Sequence, residues 1–346
     1  MHLWSKASRA FGTARINCIN QKEHGDVSTL FHDQIDFPGK RDKEVYIKIE
    51  ATAVNRAEIL QRRGLYPPIK GATKIIGLEG AGYLCNSQEE YLSGGYKNNS
   101  RIMALLEGGG YSDIASVHKD HIIPIPENLS FTEAAAIPET WLTSYQLLNL
   151  VANARKGDYA LIHAAASGIG CAAIQICKMQ GVKPIAVASS QAKLDHSIEL
   201  GAVAGINYKE TPDFSESVKE YTNGKGTNII LDCIGAQNFD YNVKSAAMDC
   251  QWVLYGAMGG VRIQNVNLGP LLAKRIQFLS STLKSRTNEY KAKLVQKFSE
   301  DCIPGFESGE LKPIVDSVTT LSKVADAHTR MEANLNIGKI VMVNDL

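Results

Sequence analysis

Hydrophobic residues between positions 159 and 255 fall into short, nearly unbroken runs that alternate with longer amphipathic stretches. The apolar runs cover residues 159–164, 184–188, 204–208, 228–234 and 252–255, and the helical patterns between them cover 168–181, 192–200 and 214–221. Strands that are apolar on both faces and alternate with helices are typical of a parallel sheet covered on both sides. Because such crossovers are right-handed, the pattern predicts a doubly wound α/β (Rossmann) sheet.

The segments on either side of this region have a different pattern of hydrophobic and polar residues. Residues 45–51 alternate apolar and polar side chains, as a half-buried strand does, and Gly and Pro interrupt the short runs that follow. Beyond residue 290 the pattern predicts a long helix broken at Pro304, a helix at 324–332 and a terminal strand at 339–343. A chain of 346 residues favours two domains. We expect a β-rich domain formed by residues 1–138 and 287–346, and the doubly wound domain at 139–286.

A glycine-containing turn, His163-Ala-Ala-Ala-Ser-Gly-Ile-Gly170, follows the first apolar run and opens a helix. A helix N-terminus in this position offers free N–H groups and a partial positive charge to a pyrophosphate. The glycine pattern is incomplete, because Ala164 and Ser167 stand where a strict dinucleotide fingerprint has glycine. A purely structural tight turn is the alternative. The residues that we expect to bind the pyrophosphate are Ser167, Gly168, Ile169 and Gly170.

The end of the second apolar run carries no acid. NAD-binding units usually place Asp or Glu there, to bond the ribose 2′-hydroxyl. Here the run ends in Ser189-Ser190-Gln191, followed by Lys193. Hydroxyls and an ammonium attract a 2′-phosphate, which a carboxylate would repel, and Tyr208 at the end of the third run is expected to close over it. The pattern favours NADPH over NADH; the alternatives are a solvated lysine and a helix cap made by the serines.

The amino-acid composition argues against some classes of binding partner. The 37 basic and 36 acidic side chains balance, so neither nucleic acid nor an anionic membrane surface has a global electrostatic attraction for the chain. No apolar stretch is long enough to cross a bilayer. Seven scattered cysteines without a Cys-x-x-Cys pair suggest reduced thiols and a cytoplasmic protein. Lys6, Arg9 and Arg15, with no acid before Glu23, leave mitochondrial targeting as the alternative.

In combination, six stretches resemble the medium-chain dehydrogenase/reductase superfamily, and within it the zinc-free, zeta-crystallin-like quinone oxidoreductases. They include Ala53-Val-Asn-Arg-Ala-Glu, Gly77-Leu-Glu-Gly80 and Leu231-Asp-Cys-Ile-Gly235. The full set spans residues 53–68, 77–80, 134–143, 231–235, 252–256 and 331–340. The tumour-suppressor-inducible branch looks most similar. The resemblance covers nearly the whole chain from about residue 10, and it implies a GroES-like catalytic domain beside the Rossmann domain.

The same comparison argues against a metal. Zinc-bearing relatives have Gly-His-Glu where this chain has Leu78, and they have a ligand cysteine near the position of Asn55. No run of four cysteines lies between Cys85 and Met103. His118 and His121 are three residues apart in a segment that resembles a strand, so we expect them not to share a face. Without a metal, the acceptor has to take hydride readily by itself, as quinones and conjugated carbonyls do.

The resemblance also implies roles at the nicotinamide end. Asn55 would bond the carboxamide, and Tyr66 would lie beside the ring, either as a proton donor or as a wall of the acceptor space. Asn336 would contact the same end, although a plain turn before the last strand is the alternative. The remaining residues implied to border the cofactor are Thr143, Gly256 and Met258.

Three functions follow from these expectations. The first is NADPH-dependent, metal-free hydride transfer to quinones. The second is reduction of an enone or enoyl substrate on the same fold. The third, from a different class, is a low-turnover NADPH-binding structural or regulatory protein. Relatives associate through their cofactor domains, so a homodimer or homotetramer is expected, with an exposed strand near 276–281 at its edge.

Overall fold

The computed structural model describes residues 15–39, 41–85 and 96–346. Lys6 and Arg9, on which the targeting alternative depends, lie outside the described residues. The helices are α1 Arg56–Arg62, α2 Phe131–Ala134, α3 Pro138–Tyr145, α4 Gly168–Gln180, α5 Gln191–Leu200, α6 Ser215–Tyr221, α7 Phe239–Ser245, α8 Gly269–Ala273, α9 Asn288–Ser308 and α10 Val324–Glu332. The strands are β1 Arg15–Gln21, β2 Leu30–Asp36, β3 Glu44–Ala53, β4 Glu79–Cys85, β5 Arg101–Leu105, β6 Ile114–His118, β7 Ile122–Pro124, β8 Tyr159–His163, β9 Lys183–Ala188, β10 Ala204–Asn207, β11 Thr227–Asp232, β12 Ala246–Leu254, β13 Gln277–Ser280, β14 Val315–Thr320 and β15 Lys339–Val343.

The chain divides into two compact units, one up to Leu142 together with Lys284–Leu346, and one at Thr143–Leu283. The first unit contains a hairpin of β1 and β2 and a seven-stranded sheet in the order β14-β15-β3-β4-β5-β7, with β6 also paired to β3. Within that sheet only the β14–β15 pair is parallel. The terminal strand β15 lies next to β3, where Val341 is opposite Ala53. The β-rich domain predicted from the sequence is confirmed.

The second unit is a six-stranded sheet in the order β10-β9-β8-β11-β12-β13, with every neighbouring pair parallel. Its central strands β8, β9 and β11 are almost fully buried, and Leu161, Ile230 and Trp252 are among the residues of its core. The order reverses between β8 and β11, so this is the point where ligands bind in doubly wound sheets, at the carboxyl ends of the strands. The predicted Rossmann sheet is therefore confirmed.

Two expectations are wrong. Pro304 does not break the long helix, because α9 runs through it from Asn288 to Ser308. The apolar face of α9, with Leu294, Phe298 and Phe306 buried, outweighs the hydrogen bond that proline removes. His118 and His121 do come together: β6 ends at His118, a short 3-10 turn follows, and the two ring centroids are 4.7 Å apart.

No helix in the described part of the chain is long and apolar enough to span a membrane.

Candidate functional site

The turn between β8 and α4 is capped by Ser167. The backbone of this residue is extended, and its hydroxyl accepts a hydrogen bond of 3.1 Å from the N–H of Gly170. The preceding N–H groups, those of Gly168 and Ile169, are in the first turn of a 13-residue helix, where no intrahelical acceptor exists for them. The turn lies next to the reversal in strand order. Such a helix N-terminus is suited to an anion, and binding of a pyrophosphate there stays a prediction.

The turn is tight. A Cβ on Gly170 would lie 2.3 Å from the carbonyl oxygen of Ala165 and 2.6 Å from that of Ala164, so only glycine fits. Ala164 has a φ of +49°, in the left-handed region that glycine favours. The chain therefore keeps the backbone shape of a glycine turn although the sequence has alanine at that position.

The carboxyl ends of β9 and β10 bring three predicted residues to one edge of the sheet. Ser189 follows β9, Lys193 is in the first turn of α5, and Tyr208 follows β10. The N–H of Tyr208 donates to the carbonyl of Ala188 at 3.1 Å, so the two strands end side by side. Ser190 is the N-cap residue of α5 but makes no capping bond with its side chain. The cap alternative is thus not realised at Ser190.

The turn after β11 is fixed by a buried carboxylate, that of Asp232, which the sequence analysis did not identify. One oxygen of Asp232 accepts the N–H groups of Ile234 and Gly235, at 2.7 and 3.0 Å. The other accepts the indole N–H of Trp252 at 3.0 Å and an amide N–H of Asn242 at 3.1 Å. These bonds hold the polypeptide at the carboxyl end of β11 in a defined shape.

Gly256 and Met258 lie beside that turn. A Cβ on Gly256 would be 3.2 Å from the carbonyl oxygen of Cys233, and the N–H of Met258 donates to the same oxygen at 3.0 Å. The Met258 side chain is exposed. Contacts of these two residues with a cofactor stay predictions.

In the first unit, Asn55 belongs to a buried charged cluster. Lys339, which is 2% exposed, donates its three N–H groups to the carbonyl of Val54 at 2.9 Å, to Oδ1 of Asn55 at 2.6 Å and to Oε1 of Glu79 at 2.7 Å. The Asn55 amide nitrogen donates to the same Glu79 oxygen at 2.7 Å. The nitrogen also donates a longer bond of 3.4 Å to Oε1 of Glu58, so both of its N–H groups have internal partners, whereas Oδ1 accepts from Lys339 and keeps one lone pair. A contact with a carboxamide stays a prediction.

A second buried chain of hydrogen bonds continues from Glu58. This carboxylate, in α1, accepts the backbone N–H groups of Asn55 at 2.7 Å and Leu78 at 2.8 Å, and the hydroxyl of Tyr111 at 2.8 Å. The Tyr111 oxygen lies 2.9 Å from Nε2 of His328. Burial, together with the charge of Arg62, lowers the pKa of His328 to about 3, so the ring is neutral. Burial raises the pKa of Glu58, whereas Lys339 opposes that shift.

Tyr66 lies in the loop after α1 and forms a small cluster with a lysine that the sequence analysis did not single out. The ammonium of Lys284 is 4.4 Å from the centroid of the Tyr66 ring and donates to Oε1 of Gln61 at 3.1 Å. Burial, with repulsion from Glu139, raises the pKa of Tyr66 to about 12. Burial and repulsion from Glu79 raise the pKa of Glu139 itself to about 8. Tyr66 is therefore a reluctant proton donor.

The two remaining predicted residues make no such cluster. Thr143 is buried within α3. The amide nitrogen of Asn336 donates to the carbonyl of Gly338 at 2.7 Å and closes the turn before β15. That bond is the plain turn expected as the alternative for Asn336, and the contacts of both residues with a nicotinamide stay predictions.

Over residues 15–39, 41–85 and 96–346, no group of three or more His, Cys, Asp or Glu side chains is arranged to hold a metal ion.

Sequence patterns could not have located Lys284, Glu139 or the partners of Lys339. Lys339 and Glu79 are 260 residues apart in the chain. One signal was present: Lys339 opens an otherwise apolar terminal strand, where a charged residue has to find a buried partner.

Comparisons with known proteins agree with this architecture. A protein-family model described as zinc-binding dehydrogenase matches residues 168–300. The quinone oxidoreductase of Rattus norvegicus is 26% identical over 337 residues, which cover 96% of this chain and 99% of that protein. The synaptic vesicle membrane protein VAT-1 homolog of Danio rerio is 26% identical over 89% of this chain, but the chain spans only 66% of that relative.

Two solved structures extend the comparison. An NAD-dependent alcohol dehydrogenase is 27% identical and superimposes with a TM-score of 0.83, covering 94% of this chain and 99% of its own. A mycobacterial protein in complex with NADPH is 24% identical and superimposes with a TM-score of 0.84, covering 94% of this chain and 99% of its own. At this identity the likeness concerns the fold alone. With the two-unit fold and the full-length match to quinone oxidoreductases, the chain is similar over nearly its whole length to oxidoreductases of the medium-chain dehydrogenase/reductase type, quinone oxidoreductases among them.

Proposed function

We propose that this protein is a zinc-free NADPH:quinone oxidoreductase. The observation that carries the proposal is the edge of the second-unit sheet, where the α4 N-terminus, Ser189 and Lys193 are found and no carboxylate follows β9. Amides at a helix end suit a pyrophosphate, and a hydroxyl with an ammonium suits a 2′-phosphate. The donor set therefore fits NADPH better than NADH.

When bound, NADPH would supply a hydride. The chain's own contribution is binding and orientation. The first turn of α4 would hold the pyrophosphate, Ser189 and Lys193 would hold the 2′-phosphate, and Tyr208 would cover it. In the first unit, Tyr66 would form part of the acceptor surface. Its raised pKa favours the role of a wall over that of a proton donor.

Quinones are the proposed acceptors because the charge delivered with hydride delocalises over their ring. Leu78 stands where zinc-bearing relatives have a histidine ligand, and Glu79 next to it is paired with the Lys339 ammonium. The charge of Glu79 is thus balanced from within the protein. This arrangement suits an acceptor that needs little polarisation of its carbonyl.

The decisive experiment is a steady-state assay of purified protein with NADPH and NADH against ortho-quinones and enones, with and without a chelator. We expect NADPH-dependent quinone reduction that the chelator leaves unchanged. Preferential turnover of enones would establish an enoyl reductase instead. Tight NADPH binding without reduction of either class would establish a binding protein of low turnover.

Coenzyme choice should depend on Lys193. Replacing it with alanine removes an ammonium from the 2′-phosphate, and a hydrogen bond to a charged group contributes about 1.5–3 kcal/mol. We expect the Kd for NADPH to rise about 10- to 100-fold in Lys193→Ala, while the Kd for NADH changes little. Isothermal titration calorimetry with both coenzymes measures this difference.

Lys178→Ala provides the matched control, because Lys178 is exposed in the last turn of α4, away from the phosphate-binding turn. It should bind both coenzymes as the wild type does. Equal weakening of NADPH and NADH in Lys193→Ala would show that Lys193 does not contact the 2′-phosphate.

Association as a homodimer is proposed from the free edge of the second-unit sheet. Strand β13 ends the strand order, and among the described residues its only paired neighbour is β12. Phe278 on β13 is 49% exposed, and Val261 and Leu272 are 81% and 80% exposed. An open strand edge with exposed apolar side chains is a site for pairing with another chain.

Light scattering after size exclusion should therefore give twice the 37.7 kDa mass of the chain; a homotetramer would give four times that mass. The double variant Val261→Lys/Leu272→Lys should shift the protein to the monomer. Leu335→Lys, at an exposed apolar residue of the first unit, is the control and should leave the mass unchanged. A monomeric wild type would contradict the proposed association.

A further inference from the structure

We propose that Lys284 is the residue that stabilises the oxyanion formed on the acceptor, with the Tyr66 ring as the platform that holds its ammonium. This inference rests on the proposed function and assigns a cation to its acceptor site.

The first step is that the Lys284 ammonium is held at a fixed place. It lies 4.4 Å from the centroid of the Tyr66 ring and donates one hydrogen bond to Gln61, whose side chain is buried in α1. A cation over an aromatic face is attracted by the ring quadrupole, the more so when it is partly desolvated. Lys284 is itself half-buried, so its side chain is ordered by contacts at its charged end.

The second step is that this ammonium has donors to spare. Lys339, a buried lysine of the same unit, uses all three of its N–H groups on Val54, Asn55 and Glu79. Lys284 donates one N–H group to Gln61, and its ammonium lies over the ring of Tyr66. An ammonium has three N–H donors, so Lys284 can still donate to a ligand oxygen.

The third step concerns charge. Burial lowers the pKa of Lys284, whereas the acidic groups around it, Glu139 and Glu58, raise it and Lys291 lowers it further. The pKa of Lys284 is thus lowered overall, and the two acidic groups oppose that shift.

The chemistry needs such a charge. With NADPH bound, the quinone would gain two electrons and one hydrogen nucleus as hydride, and NADP⁺ would remain. The quinone becomes a quinol monoanion, and a proton from water then completes the quinol. The negative charge grows on one oxygen before that proton arrives. A fixed cation lowers the energy of that state, whereas the Tyr66 phenol, with its raised pKa, is slow to give up its own proton.

The first test is kinetic. In Lys284→Met, kcat for quinone reduction should fall about 10- to 100-fold. The fall in kcat should not exceed the one that follows removal of a single oxyanion-hole donor, because Lys284 is only half-buried. The loss should grow along a series from 1,4-benzoquinone to its methylated forms, whose anions are less stable. Lys284→Arg, which keeps the charge, should recover most of the rate.

Two variants of Tyr66 distinguish a ring that holds the Lys284 ammonium from a phenol that donates a proton. Tyr66→Phe keeps the ring and should lose only a few-fold in kcat, whereas Tyr66→Leu removes the platform and should approach Lys284→Met. A loss in Tyr66→Phe as large as in Lys284→Met would make the phenol the functional group and overturn the proposal. Lys297→Met, at an exposed lysine of α9, is the matched control and should keep the wild-type rate.

The second test does not depend on turnover. The ionisation of 4-nitrophenol, followed by its phenolate absorbance, is titrated with wild-type protein and with Lys284→Met, each loaded with NADP⁺. The wild type should bind the phenolate and lower the apparent pKa of the probe; Lys284→Met should leave that pKa near its value in water. A wild-type protein that does not favour the phenolate would overturn the inference.

The two failures are distinguishable. If the wild type reduces quinones and Lys284→Met reduces them equally well, the role of Lys284 is wrong and the proposed function stands. If the wild type reduces no acceptor yet favours the phenolate only when Lys284 is present, the cation site stands and the proposed function is wrong.

Discussion

Replacement of Lys339 by methionine is expected to lower the free energy of unfolding by about 3–5 kcal/mol, because it leaves the Glu79 charge buried without its partner. Both side chains are at most 3% exposed, so bulk water does not reach Glu79 to replace the 2.7 Å contact with the ammonium. Asn55 loses a bond in the same step. Urea denaturation followed by circular dichroism measures the change.

Two further variants show whether the buried charge is the cause. Lys297→Met, in exposed helix surface, should stay within about 0.5 kcal/mol of the wild type. Lys339→Met/Glu79→Gln removes both charges and should be more stable than Lys339→Met alone. If the double variant is no better than the single one, the loss comes from packing of the lysine stem rather than from the stranded carboxylate.

Replacement of Gly170 by alanine is expected to weaken NADPH binding at least about 100-fold, a loss typical of groups displaced by about 1 Å from their working position. The added Cβ would lie 2.3 Å from the Ala165 oxygen and 2.5 Å from the Ala165 carbonyl carbon. Those atoms belong to the backbone and cannot rotate away, so the turn has to open. The N–H groups of the first turn of α4 would then no longer converge on one anion. Calorimetric titration with NADPH measures the loss.

The control for Gly170 is Gly157→Ala. Gly157 has a φ of +94° and no neighbouring atom within 4 Å of an added Cβ, so alanine there brings backbone strain without a clash. This variant should lose stability yet bind NADPH as the wild type does. Wild-type affinity in Gly170→Ala would contradict the assignment of this turn as the pyrophosphate site.

Periodicity was a good guide to the second unit. Strands β8 and β9 are buried on both faces, so local hydrophobicity marks them, and β8, β9 and β12 fall within the predicted runs or extend them. The helix from Gly168 ends where Gly181 adopts the left-handed conformation, which the glycine signalled in advance. The same alternation indicated a doubly wound parallel sheet, and the structure adds the order of its strands.

The local sequence pattern gave wrong or incomplete predictions where contacts between distant residues determine the structure. Proline at position 304 signals a break, yet the buried face of α9 keeps the helix continuous. Lys284 is an unremarkable lysine in the sequence, and only folding brings it over Tyr66, 218 positions earlier. The charge balance of Glu79 likewise depends on a residue in the last strand. Candidate site residues in glycine turns can be found from sequence, whereas cations placed by long-range packing cannot.

The pairing of β15 with β3 has a consequence for synthesis on the ribosome. The contiguous segment Thr143–Leu283 contains every strand of its own sheet and can acquire its fold as soon as it has left the exit tunnel. The first unit has to wait, because β3 receives one neighbour, and Glu79 its counter-charge, only when β15 has been translated. During that interval the sheet of the first unit is incomplete, and β3 has an unpaired edge. We expect chaperones that cover unpaired strand edges to bind the nascent chain at this stage.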